Sequence, residues 1–222
     1  MALFSWLTRG SGKASRLLVD YADECFVHAG APGALSREQR DENLSAFVAS
    51  IDRRISRLRA FAAALGTELP VPDGDRGKVA AIGQALDRLC KSQLSGLTAV
   101  QPALAMDWRA REPRGSERQV QTLAIDMGTY CGEVGILCAP KYQWVIDETR
   151  YTPETIMRTS GRVVIGHNPT VIARPMYNHV DAIAIAAFAL TQIVHYRKVK
   201  AKGLWRPNYF TFVSDLADGR NL

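Results

Sequence analysis

The sequence predicts an α+β protein that is mainly helical, with an N-terminal helical bundle-like part packed on a C-terminal part that contains a small sheet. Amphipathic helical patterns fill most of residues 1–96, whereas strand-like alternation and proline-interrupted helices follow residue 116. We therefore divide the 222-residue chain into a helical N-terminal subdomain (1–96), a connector (97–115) and an α+β C-terminal subdomain (116–222). Hydrophobic residues make up 47% of the chain, which is enough to bury a substantial core.

Helical spacing of apolar residues predicts three helices in the N-terminal subdomain. The first covers residues 15–29. The second has capping-box spacing, in which Ser36 and Gln39 satisfy each other's free backbone amides, and it closes at Gly66. The third follows the Asp73-Gly74 turn. The apolar seam of the second helix fits a coiled-coil partner or, as we prefer, packing on the protein's own core.

A glycine-rich helix is predicted to begin at Ser116 and to run as far as Pro140. Its three glycines, Gly128, Gly132 and Gly135, each cost about 1 kcal/mol in a helix interior relative to alanine. Close packing of another backbone would explain them. The alternative is that the helix stops near Gly132 and a strand follows, but we favour the continuous helix.

Alternation and proline positions predict the remaining elements of the C-terminal subdomain. Trp144 lies on one face of the first strand, and we expect it to be substantially buried against the helix that begins at Ser116. We expect strands at 142–146 and 163–165, helix starts at Thr152-Pro153 and Asn168-Pro169, a long helix at 178–200, and an edge strand within 205–213.

Composition predicts a soluble, cytoplasmic protein. None of the four cysteines belongs to a C-x-x-C pair, and all lie in apolar segments, as is typical of reduced proteins. The most apolar run, 182–194, is shorter than the roughly 20 residues that a membrane span requires, so we expect no such span. The net charge of +6 is compatible with an acidic partner, whether nucleic acid, membrane or protein.

No residue pattern reaches a catalytic signature, so we assign no catalytic residue and disfavour an enzyme. The glycine-lysine stretches Gly10–Ala14 and Gly77-Lys78 lack the other residues of a phosphate loop and are interpreted as turns. We predict no metal site and no cofactor. Convergence of His167, His179 and Glu133 on a metal is an alternative that we rank below hydrogen bonding within a loop.

Glu133 is the charged residue that the packing pattern leaves unexplained, because it lies in an apolar, glycine-rich stretch. A buried carboxylate needs a partner, and Arg174 is a candidate. Alternatively Glu133 faces a pocket, with His167 and Trp144 beside it. We rank structural pairing above catalysis and take these four residues as the candidate functional pocket.

Basic and aromatic residues near the C-terminus form a second candidate site, for contact with an anion or a nucleic acid. The segment 197–206 has five basic residues and no acid. A solvated helix end followed by a packed aromatic tail explains it equally well. The candidate residues are Arg197, Lys198, Lys200, Lys202, Trp205 and Arg206. A further basic cluster, Arg53, Arg54, Arg57 and Arg59, lies on two sides of the second helix.

The C-terminal subdomain resembles uncharacterised bacterial α+β domains, some of which are associated with toxin-immunity neighbourhoods. The similarity covers about residues 116–200 and has three short motifs. These motifs are Tyr130-Cys131-Gly132-Glu133 followed by Trp144, the strand at 163–165, and Asn168-Pro169. The resemblance implies a binding role and no catalytic residue. We therefore predict a non-enzymatic protein-interaction module, immunity-like or an adaptor, with a protein partner. Nucleic-acid binding ranks second and an enzyme of unknown class third, and a homo-oligomer is compatible with the sequence.

Overall fold

The computed structural model describes residues 5–22, 24, 26–28, 35–94, 117–140, 142–146, 169–173, 178–180 and 209–219. This part of the chain is mostly helical, as the sequence predicts. Its helices are α1 (Ser5–Val19), α2 (Arg37–Ala64), α3 (Val79–Arg88), α4 (Glu117–Cys138) and α5 (Tyr209–Ala217). A 3-10 turn, Arg76–Lys78, precedes α3, and a π-helical turn, Leu89–Leu94, continues it. The strands are β1 (Tyr142–Ile146), β2 (Pro169–Ala173) and β3 (Asn178–Val180).

Both ends of α2 follow the local signals in the sequence. The Gln39 amide donates to Ser36 Oγ at 3.3 Å, and the Ser36 amide donates to Gln39 Oε1 at 2.9 Å, so the capping box is confirmed. Gly66 has φ +80°, a left-handed conformation in which glycine has no Cβ penalty, and it directly follows the last turn.

Helix α4 runs without interruption through its three glycines, so the continuous helix is confirmed. A Cβ placed on Gly135 would lie 3.2 Å from Leu216 Cβ of α5, which is closer than ordinary side-chain contact. Close packing of α5 therefore accounts for this glycine. The capping residue Ser116 lies outside the described residues.

The hydrophobic core is shared by elements from both sides of the predicted connector, which itself lies outside the described residues. Helix α4 is the centre of this core, since every residue from 120 to 132 is buried. It packs against α1, α2, α5 and β1, and α5 packs in turn against α3. The core includes Leu18, Leu58, Phe61, Leu86, Leu89, Leu123, Met127, Cys131, Val213 and Leu216.

The strands pair through their backbones beside α2. β1 pairs antiparallel with β2, with Trp144 opposite Val171, and β2 pairs antiparallel with β3, with Ile172 opposite His179. β1 contacts both α2 and α4, and β2 also contacts α2. The strand predicted at 142–146 is therefore present, and its position places Trp144 between α2 and α4.

The first helix was predicted wrongly in both its start and its end. It covers Ser5–Val19, so the stretch Gly10–Ala14 is helical and is not a turn. The chain has left the helix by Tyr21, because this residue and those after it bind side chains of α2 and α4.

Three predictions in the C-terminal subdomain are also wrong. Pro169 begins a strand and not a helix, because its segment pairs with β1. Asn178 likewise begins β3 and not the long helix. Residues 209–213 belong to α5, whose buried residues Tyr209, Phe212, Val213 and Leu216 follow helical spacing. The features predicted at 152–153, 163–165 and 181–200 lie outside the described residues.

Candidate functional site

Helix α4 presents two acidic residues, Asp126 and Glu133, to the elements around α2. They are seven residues apart, which is about two helical turns or roughly 10.5 Å, and therefore lie on the same side of the helix. Asp126 contacts arginines in the second half of α2, whereas Glu133 lies beside Trp144, which packs on Phe47 in the first half. The seam between α2 and α4 is thus antiparallel, with an ionic end and an aromatic end.

At the ionic end, Asp126 is completely buried and accepts four hydrogen bonds. Oδ1 accepts from Arg54 Nη1 at 2.9 Å and from Arg57 Nη2 at 2.8 Å. Oδ2 accepts from Arg57 Nε at 2.7 Å and from the Tyr21 hydroxyl at 2.7 Å. The bidentate contact with Arg57 is the geometry in which arginine–carboxylate pairs are strongest. A carboxylate has about four lone-pair positions, so Asp126 is saturated.

Glu24 joins this cluster from the segment that follows α1. Its Oε1 accepts from Arg53 Nη2 at 2.5 Å and its Oε2 from Arg57 Nη1 at 2.6 Å. Its backbone is held as well, because the amide donates to Thr122 Oγ1 at 3.0 Å and the carbonyl accepts from Arg54 Nη1 at 3.2 Å. Glu24 therefore links α2 to α4.

Proton binding in the cluster favours the charged forms of Glu24 and Arg57. Burial raises the pKa of Glu24, but hydrogen bonds from Arg53 and Arg57 outweigh it and lower this pKa to about 2. Burial lowers the pKa of Arg57, but hydrogen bonding to Asp126 and the charge of that carboxylate outweigh burial and raise it. Burial and the neighbouring Asp126 raise the pKa of the Tyr21 hydroxyl, which therefore acts as a neutral donor.

The segment after α1 has a further polar anchor at His28. The His28 amide donates to Asn43 Oδ1 at 2.8 Å, and Asn43 Nδ2 donates to the His28 carbonyl at 2.9 Å. Buried Asn43 thus pairs with a backbone as a neighbouring strand would. The His28 ring also lies 2.5 Å from the Glu42 carboxylate. Polar contacts from α2 and α4 therefore fix the path between α1 and α2.

At the aromatic end, Trp144 Nε1 donates to Glu133 Oε1 at 2.5 Å. The Trp144 ring meets the Phe47 ring edge to face, with centroids 4.8 Å apart, and also packs on Ile125. Trp144 is half-buried, so it is less enclosed than the sequence led us to expect. The tryptophan is a structural partner for Glu133 that the sequence interpretation placed nearby without assigning the bond.

Burial raises the pKa of Glu133, the charge of Asp52 raises it further, and the Trp144 hydrogen bond opposes both effects. This carboxyl group accepts from Trp144, whereas Asp126 accepts four hydrogen bonds. Glu133 therefore retains more capacity for proton exchange than Asp126.

The structure answers the remaining site predictions unevenly. His167, Arg174 and the C-terminal basic and aromatic residues Arg197, Lys198, Lys200, Lys202, Trp205 and Arg206 lie outside the described residues. Within α2, the basic cluster is engaged internally, since Arg53, Arg54 and Arg57 bind acidic residues. Arg59 Nε donates to the Leu69 carbonyl at 2.8 Å. These arginines hold the fold together and are occupied by internal partners.

The sequence interpretation missed Asp126, although a signal for it was available. Asp126 lies in the run Leu123–Met127 among apolar residues, just as Glu133 lies in the glycine-rich stretch. A charge at a buried helical position needs a partner of opposite charge, and arginines crowd the second half of α2. The two patterns together would have predicted the pairing.

The cysteines of the described core have the opposite character to nucleophiles. Cys90, Cys131 and Cys138 are buried and reduced. Burial raises the pKa of each of the three thiols. Because a nucleophilic cysteine needs a lowered pKa, these side chains act as small hydrophobic groups in the core.

Two further properties concern the described residues as a group. They contain no cluster of three or more metal-binding side chains. None of their helices has the length and apolar composition that a membrane crossing requires. In comparisons with known proteins, the chain matches no protein-family model, no curated protein and no solved structure.

Proposed function

We propose that the chain is a non-enzymatic protein-interaction module of the immunity or adaptor kind. The observation that carries this proposal is that other parts of the chain engage both acidic side chains of the central helix. Asp126 accepts four hydrogen bonds, and Glu133 accepts one from Trp144. A catalytic acid or base must exchange a proton with a substrate, and saturated Asp126 has no lone pair left for that exchange.

The residues that resemble bacterial immunity-associated domains have structural roles in α4, which supports a binding function. The Tyr130 hydroxyl donates to the Pro70 carbonyl at 2.6 Å and fixes the loop that precedes α3. Cys131 lies in the core, and Glu133 binds Trp144. Such residues maintain a framework on which a partner-binding surface is displayed.

The test uses the intact chain as bait for cross-linking capture, followed by purification of the captured protein and calorimetry on the two purified components. We expect a stoichiometric complex that Glu133→Gln binds with unchanged affinity, because glutamine retains an acceptor for Trp144 Nε1. The proposal is overturned if no protein is captured and the chain converts a small molecule in a reaction that Glu133→Gln abolishes.

Nucleic-acid binding through the segment 197–206 is the second candidate. It is favoured by five basic residues without an acid, followed by Trp205 as a stacking group. Neutralising Lys198, Lys200 and Lys202 should then weaken binding to a single-stranded oligonucleotide and reduce the slope of log K against log salt by about 0.7 for each charge. Absent binding, or binding that salt does not weaken, removes this candidate.

A further inference from the structure

Lys13 and Arg16 of α1 differ from all other basic residues whose side chains the structure describes. Both are exposed, and neither makes a hydrogen bond or an ion pair within that part of the chain. The other basic side chains there all have partners. For example, Arg37 pairs with Asp41, Arg53 with Glu24, Lys78 with Asp73 and Lys91 with Asp87.

Helical geometry places Arg9 in line with these two residues. Positions 9, 13 and 16 are spaced i, i+4, i+7 and share one side of the helix, over a rise of about 10 Å. The opposite side of α1 is occupied, because Ala14 and Leu18 are buried in the core. Residues 1–19 contain no acid, so no charge within α1 neutralises this row.

The surface around the basic row is low. Gly12 is exposed, and a Cβ added there would meet nothing within 4 Å. Ser15 is small and exposed, and the Val19 side chain is 69% exposed at the end of the helix. A second helix can therefore approach the backbone of α1 closely and cover an apolar group beside the charges.

We infer that this α1 basic face, defined by Arg9, Gly12, Lys13, Arg16 and Val19, docks an acidic helix of a protein partner. The inference rests on the proposed interaction function and identifies the surface that serves it. Carboxylates spaced i, i+4, i+7 on the partner helix match the three basic positions in length and sign.

A protein helix fits this face better than a nucleic acid does. Nucleic-acid affinity comes from many phosphate contacts along an extended track, whereas the row on α1 has three charges over about 10 Å. Exposed Val19 and the open space at Gly12 favour side-chain packing, which a phosphate backbone does not supply.

The experiment titrates the ¹⁵N-labelled full chain with a designed helical peptide that carries glutamates at i, i+4 and i+7. A peptide of the same composition, with its glutamates scattered around the helix, is the matched probe. We expect amide shift changes concentrated in α1 that saturate, weaken with salt, and are several-fold weaker with the scattered peptide. K13Q/R16Q should weaken binding roughly 3- to 30-fold, as expected for two exposed ion pairs.

Two variants separate local docking from general attraction. R37Q/K78Q removes the same amount of charge from exposed positions outside α1, and it should leave the affinity within about twofold of wild type because the two sites lie on other elements. Gly12→Tyr adds bulk where the structure has open space, so it should weaken binding while thermal unfolding shows the fold intact.

Several results would overturn the inference. These are equal binding of both peptides, an equal loss in R37Q/K78Q, or no shift changes in α1. A single-stranded oligonucleotide that produces the α1 shifts at lower concentration than the peptide would assign the face to nucleic acid instead. A purified partner that binds K13Q/R16Q as tightly as wild type would refute the α1 face and leave the proposed function standing. Failure of the function itself is a chain that captures no partner at all.

Discussion

The substitution Asp126→Asn tests whether the buried ionic cluster holds α2 and the segment after α1 on the central helix. Asparagine has nearly the same shape, so the hydrophobic packing around α4 is preserved. It replaces one acceptor oxygen with an NH₂ group that only donates. Whichever oxygen is replaced, one N–H of Arg57 then faces another donor, because Arg57 binds both Oδ1 and Oδ2.

The size of the effect follows from the burial of Arg54. Its side chain is 2% exposed, and Asp126 is its closest acidic partner. Removing one partner of a buried ion pair costs about 3–5 kcal/mol, because the other charge stays buried without compensation. Glu24 lies 3.8 Å from Arg54 Nη2 and is 29% exposed, so it compensates in part. We expect a loss near 3 kcal/mol, a large share of the roughly 5–15 kcal/mol that stabilises a typical domain.

Urea unfolding followed by circular dichroism measures this loss. Asp41→Asn is the matched control, since its exposed pair with Arg37 spans 3.9 Å and should contribute at most about 0.5 kcal/mol. Replacing both charges, in R54L/D126L, should recover part of the loss because the desolvation cost of both ions disappears. A loss below about 1 kcal/mol in Asp126→Asn would refute the assignment of the cluster as the link between α2 and α4.

Three further substitutions probe the rest of the seam. Trp144→Ala should cost about 2–4 kcal/mol in thermal or urea unfolding, less than a fully buried tryptophan, and Trp144→Phe about 1 kcal/mol for the lost hydrogen bond to Glu133; an unchanged unfolding midpoint would contradict this packing. Glu24→Gln should cost about 2 kcal/mol at pH 7, after allowance for solvent screening. The Glu24 pKa falls from 4.5 to about 2 on folding, so this contribution is complete above pH 4.5 and is lost as the pH falls towards 2. The stabilities of wild type and variant must therefore converge in acid, and parallel curves would disprove the linkage. Glu133→Gln has the opposite sign, because folding raises the Glu133 pKa and wild type loses stability as the pH rises through it. Its stability relative to wild type should increase with pH, and a difference that does not change with pH would count against burial of the carboxyl group.

Local signals predicted the helices that depend on local chemistry. The Ser36–Gln39 capping box and Gly66 placed both ends of α2, because caps and left-handed closures involve residues within one turn. The continuity of α4 followed from its apolar periodicity, which outweighed the cost of its glycines. Gly135 then found its explanation in the contact with Leu216.

The remaining elements depend on contacts that are distant in sequence. Tyr21 meets Asp126 across 105 residues, so nothing near Tyr21 marks the point at which α1 has ended. At the start of α1, Gly10 and Gly12 resemble the punctuation of a turn, although the structure leaves open space at Gly12. In α5, the short run after Tyr209 contains both a period of two and a helical period, and only packing against α3 and α4 selects the helix.

The two acids of α4 show why burial and function must be separated by experiment. Asp126 is fixed by four donors, so any change there alters stability first and function only as a consequence. Glu133 has a raised pKa and its identified hydrogen bond comes from Trp144, so Glu133→Gln changes charge while the fold is kept. A catalytic Glu133 predicts a variant that is stable and inactive, as active-site residues that are costly for stability often do. An interaction module predicts a variant that is stable and still binds its partner. Glu133→Gln therefore discriminates between the two classes of function without the loss of folding that confounds substitutions at Asp126.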